Sequence, residues 1–173
     1  FLPLPQPPTS ESTTVPTEVP CLNGCCLLVR AEALRTVGGY DADFWCYVDE
    51  VDWDWRAERA GWKRHYVPIE SIIHLQKETG YDFASLANFY IKRNTAMWYA
   101  KNGKYLSLAA WIVSTLVIAV VRAVCAPSLG RSLVQYSRFA GRLAAAYATV
   151  IADVFRGKWS RPLRADDAPL QAA

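Results

Sequence analysis

The chain has 173 residues, the size of one domain or of one domain with an extension. Hydrophobic residues make up 52% and charged residues 20%, which excludes intrinsic disorder over most of the length. The net charge of +3 is too small to indicate polyanion binding, so we predict no nucleic-acid partner. The five cysteines are an odd number and lack the paired spacing of a zinc site, which favours a reduced, cytosolic setting.

The first part of the chain predicts an α/β layer architecture. Residues 1–20 are rich in Pro, Ser and Thr and predict an extended linker. The apolar run Cys25–Val29 predicts a buried strand, and Lys63–Ile69 predicts a second strand. Ala31–Val37 and Trp55–Ala60 predict helices, each followed by glycine. The order strand, helix, helix, strand suits an α/β domain.

The remaining chain predicts three helices and a polar tail, residues 157–173. Phe83–Lys101 has apolar residues at helical spacing, and Leu106–Val121 carries no charge. Ser132–Phe155 has the pattern of an amphipathic helix, with one apolar stripe. The residues of that stripe are Tyr136, Ala140, Leu143, Tyr147, Val150 and Val154.

Residues 105–156 are expected to associate with a membrane surface. Leu106–Val121 would span about 24 Å as a helix, short of a hydrocarbon core of about 30 Å. Extension to Ala126 makes it long enough but places Arg122 near one end of the span. The basic, amphipathic segment after it suits anionic headgroups, so a surface-lying or re-entrant geometry is favoured over a clean span. The alternative is that both helices pack against protein or a partner subunit.

Ionisable residues are most concentrated in the segment Asp49-Glu50-Val51-Asp52-Trp53-Asp54-Trp55-Arg56. Its four carboxylates repel one another, so ordering them requires a cation, a proton or Arg partners. On a helix Asp52 can face Arg56, whereas Glu50 and Asp54 share a different face. A carboxylate held beside aromatic rings has a raised pKa and can act as a general base. The alternative is a solvated helix start whose acids interact with the helix dipole.

Six short motifs follow one another in the chain: Asn23–Arg30, Gly38–Asp41, Asp49–Arg56, Ala60–Trp62, Tyr66–Pro68 and His74. In this order they resemble the C-terminal half of the catalytic domain of glycosyltransferase family 2, in its rhamnosyltransferase-like branch. Tyr90–Asn94 resembles the Tyr-then-Arg-Asn element that follows in the family. The resemblance implies a partial GT-A fold, an α/β nucleotide-diphospho-sugar transferase domain, over residues 21–104, followed by C-terminal helices. It also implies a divalent metal, Mg or Mn, and sugar transfer with inversion.

The resemblance assigns roles to individual residues by position. Glu50 corresponds to the base that deprotonates the acceptor hydroxyl, and Asp49 is the second candidate; many members have Asp at the position of Glu50. Gly24 lies in the strand approach to the acceptor pocket, and His74 matches a histidine that completes the metal shell in some relatives. We therefore expect Glu50 and His74 to face one sugar-sized hollow. Three nearby aromatic residues are candidate stacking surfaces for a sugar: Trp45, Tyr47 and Trp53.

The expected function is that of an inverting glycosyltransferase fragment at the cytoplasmic face of the cell membrane. It would move a sugar from a nucleotide-sugar donor to a lipid-linked or envelope polysaccharide acceptor. The family's nucleotide-binding first half is not matched in this chain, so a partner would have to supply that N-terminal half. One alternative is a non-catalytic, membrane-attached interaction module derived from a transferase half. Another is a membrane-inserted helical subunit of unrelated function.

Overall fold

A computed structural model describes residues 15–22, 24, 26–68 and 84–159, and divides the chain into two compact units. The first unit holds the described residues up to Trp45 and from Asp49 to Pro68, and the second holds Cys46–Val48 and residues 84–159. The described elements are β1 (Thr17–Glu18), α1 (Ala31–Val37), α2 (Asp49–Arg59), β2 (His65–Tyr66), α3 (Leu86–Lys101), α4 (Tyr105–Cys125) and α5 (Leu133–Phe155), with 3-10 turns at Ala42–Phe44 and Pro127–Leu129.

The core of the first unit lies between α1 and α2. Its buried side chains are apolar and come from both helices: Ala33, Val37, Trp53 and Ala57. Gly38 ends α1 with a φ of 81°, a conformation that glycine adopts without steric cost. The Gly38 carbonyl accepts a hydrogen bond of 2.8 Å from the Trp53 indole, which ties the end of α1 to α2.

The sheet of the described residues has two short antiparallel strands, with Thr17 opposite Tyr66 and Glu18 opposite His65. Strand β1 therefore lies within residues 1–20, which were predicted to be an extended linker. The strand predicted for Lys63–Ile69 is shorter than expected, because only β2 forms; Ile69 lies outside the described residues. The predicted strand Cys25–Val29 is wrong for residues 26–29, which form no strand. An apolar run needs a neighbouring strand to bond its backbone, and the Leu28 side chain is fully exposed. The GT-A fold therefore stays a prediction for this mostly helical structure.

The helix predictions are confirmed, most closely for α1 and α5. Helix α2 begins at Asp49, six residues before the predicted start at Trp55, because acidic residues in the first turn interact favourably with the helix dipole. Ser85 and Ser132 cap α3 and α5, since their hydroxyls accept hydrogen bonds from the amides of Asn88 and Gln135.

Helices α3, α4 and α5 pack together in the second unit. Helix α5 buries most of its predicted stripe, together with Phe139; the buried residues are Tyr136, Phe139, Leu143, Tyr147 and Val150. Hydrogen bonds also join α4 to both α3 and α5. Thr115 and Tyr147 share a hydrogen bond of 2.8 Å, and the Trp111 indole donates to the Lys92 carbonyl at 3.0 Å.

Helix α4 has an apolar face that no described residue covers. Among the described helices it is the one long and apolar enough to cross a membrane, with 21 residues. Four residues on one side are buried: Leu108, Thr115, Ala119 and Ala123. Many exposed side chains of this helix are also apolar, among them Leu106, Val113, Val117, Val120, Val121 and Val124, while Ser107, Ser114 and Arg122 are the exposed polar ones.

Candidate functional site

Glu50 lies in the first turn of α2, half-buried in the first unit. Burial raises the pKa of its carboxyl to about 7, against a backbone hydrogen bond that lowers it. The hydrogen bond that protonated Glu50 donates to Asp49 and the charges of Asp49 and Asp54 also raise this pKa. The sequence prediction that Glu50 and Asp54 share one face is consistent with this electrostatic contact. A carboxyl with this pKa is partly ionised near neutral pH, which suits it to accept a proton.

Gly24 approaches the Glu50 side chain closely. A Cβ atom added at Gly24 would lie 3.7 Å from the Glu50 carboxyl carbon and 3.9 Å from its Cβ and Cγ atoms. These are ordinary van der Waals distances, so a larger side chain would occupy the space beside the carboxyl. The structure therefore brings together two of the predicted site residues.

Asp54 and Cys21 form the polar surroundings of Glu50. The Leu22 amide donates a hydrogen bond of 2.6 Å to the Asp54 carboxyl, although burial raises the pKa of Asp54. Burial and a hydrogen bond with Asp54 raise the pKa of the Cys21 thiol to about 12. Cys21 therefore stays protonated at neutral pH rather than forming a thiolate.

Arg56 fixes the other face of α2. Its guanidinium pairs with the buried carboxyl of Asp52 at 2.8 Å, as the i to i+4 spacing predicts. The same guanidinium donates to the carbonyls of Val37 at 2.8 Å and Gly39 at 2.9 Å. One side chain thus neutralises a buried acid and holds the end of α1 against α2.

The three aromatic candidates have different surroundings. Trp45 is 72% exposed in the first unit, so its ring is open to solvent. Trp53 is 7% exposed and belongs to the core between α1 and α2. Tyr47 is partly buried and belongs to the second unit. Tyr40, which the sequence reading gave no role, is close enough for the charges of Asp49, Glu50 and Asp54 to raise its pKa, after burial as the main cause.

The predicted metal ligand His74 lies outside the described residues, as does the hollow that it was expected to share with Glu50. Within the described ranges, no group of three or more His, Cys, Asp and Glu side chains is placed to hold a metal ion. The divalent metal stays a prediction.

Sequence reasoning missed Cys21 and Tyr40 as neighbours of the acids, and it placed Asn94 in a motif without predicting its hydrogen bonds. Tyr40 was part of a quoted motif, but nothing in its residue type pointed to the acid cluster. Asn94 is fully buried and donates to two backbone carbonyls that lie 48 and 47 residues earlier in the chain. Contacts over such sequence distances leave no local pattern.

Comparison with known proteins gives partial matches. The chain is 42% identical over 73 residues to the N-acetylglucosaminyl-diphospho-decaprenol L-rhamnosyltransferases of two Mycobacterium tuberculosis strains, CDC 1551 / Oshkosh and ATCC 25618 / H37Rv. The match covers 40% of this chain and 24% of each relative, so the chain spans about a quarter of their length. No family model matches the chain, and no solved structure matches it. The matches support a glycosyltransferase-like relationship.

Proposed function

We propose that this chain is the acceptor-side part of an inverting glycosyltransferase and that Glu50 is its catalytic base. Residues 21–104 would correspond to the C-terminal half of a GT-A domain. The single observation that carries the proposal is that the Glu50 carboxyl is half-buried next to Gly24 and has a pKa near neutrality. The partial identity to rhamnosyltransferases supports the same reading.

The proposed reaction uses Glu50 in one step. Its carboxylate takes the proton of an acceptor hydroxyl while the hydroxyl oxygen bonds to the anomeric carbon of the donor sugar. The bond from that carbon to the nucleoside diphosphate breaks, and the diphosphate leaves with the electron pair. The bound proton leaves Glu50 to solvent afterwards, which restores the base.

Asp49 and Gly24 have supporting roles in this proposal. Asp49 adds negative charge beside Glu50 and so keeps its proton affinity high. Gly24 leaves room beside the carboxyl where an acceptor hydroxyl can approach. The exposed Trp45 ring is the aromatic surface most open to stacking on a sugar. Trp53 packs in the core, so we leave it out of the proposed sugar-binding set.

We further propose a nucleotide-sugar donor and a lipid-linked acceptor at the cytoplasmic face of the membrane. The relatives are named for rhamnosyl transfer to a sugar carried on diphospho-decaprenol, an acceptor that resides in a membrane. Helix α4, with 21 residues, is about 31 Å long, which is comparable to the hydrocarbon core. Its exposed apolar face and the basic residues after it suit a lipid surface.

The test is sugar transfer by the intact protein that contains this chain, with nucleotide-sugar donors and a polyprenyl-diphospho-sugar acceptor. Glu50→Gln removes the base but keeps the size of the side chain, so we expect kcat to fall about 100-fold or more. The matched control is Glu58→Gln on the same helix, where the side chain is exposed. Full transfer by Glu50→Gln would remove Glu50 from the mechanism.

A non-catalytic interaction module makes the opposite prediction. In that case the parent protein itself transfers no sugar from any donor, and Glu50→Gln changes only the binding of a partner. Measuring parent, Glu50→Gln and Glu58→Gln side by side therefore separates the two functions.

A further inference from the structure

The start of α3, the end of α4 and the start of α5 meet at one end of the second unit. Ala123 and Ala126 at the end of α4 form one buried cluster with Tyr136 of α5. Ala84, two residues before α3, packs against the same cluster. Side chains in these three segments are therefore neighbours in space although they are distant in the chain.

Each of the three helices carries a basic residue in the half that lies toward this end. Lys92 on α3 is half-buried, and its ammonium donates a hydrogen bond of 3.4 Å to the side-chain oxygen of Asn88. Arg122 on α4 is close enough for its charge to lower the pKa of Lys92, after burial as the main cause. The Arg142 guanidinium on α5 lies 5.0 Å from the centre of the Phe89 ring, and Phe89 shares one face of α3 with Lys92, three residues later. We call these three basic residues, Lys92, Arg122 and Arg142, the basic cluster.

The part of the second unit that contains these helices has a large excess of positive charge. Residues 84–159 include ten Lys and Arg and one acid, Asp153. Asp153 contacts Arg156 at 3.4 Å and Lys158 at 3.5 Å, and it lies about 17 Å further along α5 than Arg142. This excess of positive charge favours an anionic ligand at the basic cluster.

The basic cluster borders the exposed apolar face of α4. Val121 directly precedes Arg122 and Val124 follows it by two residues, and both valine side chains are exposed. A soluble anion would satisfy the charge but would leave these valines in water. A phospholipid offers a phosphate next to acyl chains, so it suits both the charge and the apolar surface.

We propose that Lys92, Arg122 and Arg142 form a binding site for the phosphate of an anionic membrane lipid whose acyl chains lie along the exposed face of α4. Each guanidinium can donate two parallel hydrogen bonds to phosphate oxygens, and the ammonium adds a compact positive charge. The inference rests on the lipid contact of α4 in the proposed function. The site lies within the second unit, so it does not involve Glu50 or the transfer reaction.

The experiment measures co-sedimentation of the intact protein that contains this chain with two kinds of vesicle. One kind is phosphatidylcholine alone, and the other also contains the anionic lipid phosphatidylglycerol. The parent is compared with a triple variant in which glutamine replaces the basic cluster, because glutamine stays polar but has no charge. The variant carries Lys92→Gln, Arg122→Gln and Arg142→Gln.

A second triple variant is the matched control, because it removes the same number of charges from the other end of these helices. Lys101 and Lys158 both lie over the Trp159 ring, at 5.7 and 5.3 Å from its centre, and Arg156 follows the end of α5. The control carries Lys101→Gln, Arg156→Gln and Lys158→Gln. Circular dichroism checks that helix content is the same in all proteins.

We expect the basic-cluster variant to bind the anionic vesicles about 100-fold more weakly than the parent, since each basic residue at an anionic surface contributes about fivefold. Its binding to phosphatidylcholine alone should stay within about threefold of the parent, because the apolar face of α4 is intact. The control should lose much less on anionic vesicles. Equal losses for the two triple variants, or equal losses on the two kinds of vesicle, overturn the inference.

Inorganic phosphate separates a lipid site from a site for a free anion. At constant ionic strength, phosphate at about 10 mM should leave the binding of the parent to anionic vesicles unchanged, because it does not cover the apolar face of α4. Displacement of the protein from the vesicles by this phosphate would assign the basic cluster to a soluble anion and would contradict the lipid site.

A single substitution keeps the inference testable if the triple variant does not fold. Arg122 is exposed, so Arg122→Gln should fold and should bind anionic vesicles about fivefold more weakly, whereas Arg122→Lys keeps the charge and most of the binding. A folded Arg122→Gln protein with the affinity of the parent contradicts the inference. A parent that binds both kinds of vesicle equally overturns the phosphate site alone, whereas a parent that binds neither also overturns the proposed lipid contact of α4.

Discussion

The two units of the chain are stabilised by different interactions. In the first unit buried polar side chains are held by specific partners: Asp52 by Arg56, Asp54 by the Leu22 amide, and Arg64 by the Asp54 carbonyl at 2.8 Å. In the second unit the long helices bury apolar side chains, and α4 also exposes them. Charge and pH should therefore act mainly on the stability of the first unit, whereas the stability of the second depends mainly on buried apolar area.

The largest expected effect concerns the exposed face of α4. Val117 and Val121 are 56% and 53% exposed. The double variant Val117→Asp, Val121→Asp places two negative charges on this exposed apolar face. Because one charge near the centre of a membrane helix costs roughly 2.5–3.5 kcal/mol, we expect the affinity for lipid vesicles to fall about 100-fold or more. This affinity is measured by co-sedimentation of the protein with vesicles of phosphatidylcholine and phosphatidylglycerol.

The control for this experiment is Ser137→Asp, which adds a charge at an exposed position of α5. Circular dichroism should show unchanged helix content in all variants. If the double variant binds vesicles as tightly as the parent, α4 does not contact lipid, and its apolar face is covered by protein.

The next effect concerns the polar network of the first unit. Arg56→Ala leaves the buried Asp52 carboxylate without its guanidinium and releases the carbonyls of Val37 and Gly39. Breaking a buried pair in this way should lower the free energy of unfolding by about 3 kcal/mol. The free energy of unfolding is measured by urea denaturation, monitored by hydrogen exchange of peptides from α1 and α2.

Arg59→Ala is the matched control, because Arg59 lies on the same helix and is exposed. We expect it to change the free energy of unfolding by less than about 0.5 kcal/mol. If Arg56→Ala and Arg59→Ala lowered the free energy of unfolding equally, the hydrogen bonds and ion pair of Arg56 would not stabilise this unit.

A smaller effect is the pH dependence of the first unit. Because the folded pKa of Glu50 is raised from 4.5 to about 7, the folded state binds more protons than the unfolded state between these values. Stability from this group is therefore full below pH 4.5 and is lost as the pH rises through about 7. The raised pKa of Asp54 acts with the same sign. Since Glu50 is partly exposed, we expect a loss of roughly 1–2 kcal/mol.

Glu50→Gln has no ionisable group at this position and should flatten most of that slope. At pH above the folded pKa the variant should be more stable than the parent, because no charge is buried. Thermal unfolding at several pH values for parent and variant tests this. A parent that gains stability over the same pH range contradicts the raised pKa.

The smallest effect belongs to the second unit. Ser132→Ala removes the hydroxyl that accepts from the Gln135 amide at the start of α5. The loss of one helix cap should cost about 1 kcal/mol, measured by urea denaturation. Ser137→Ala, at an exposed position inside the same helix, should cost nothing, since alanine favours helix. Similar losses for both serines would mean that the cap does not stabilise α5.

The predictability of the site depended on the distance between its parts in the chain. The pairing of Asp52 with Arg56 followed from spacing alone, because residues four apart on a helix are neighbours. The resemblance to a family assigned Gly24 to the approach to the acceptor pocket and Glu50 to the base, but their contact was not predicted. The thiol of Cys21 beside Asp54 had no sequence signal, because its surroundings come from segments that are more than thirty residues apart.

The sequence alone determined the helices and their buried faces, because helical periodicity is a local property that survives in any tertiary context. The stripe from Tyr136 to Val150 and the end of α1 at Gly38 are examples. Tertiary structure alone decided that the run at 26–29 forms no strand, that Glu50 holds its proton up to about pH 7, and that Asn94 supports Cys46–Val48. Strand pairing, desolvation and buried hydrogen bonds all depend on partners distant in the chain, and a linear pattern does not encode them.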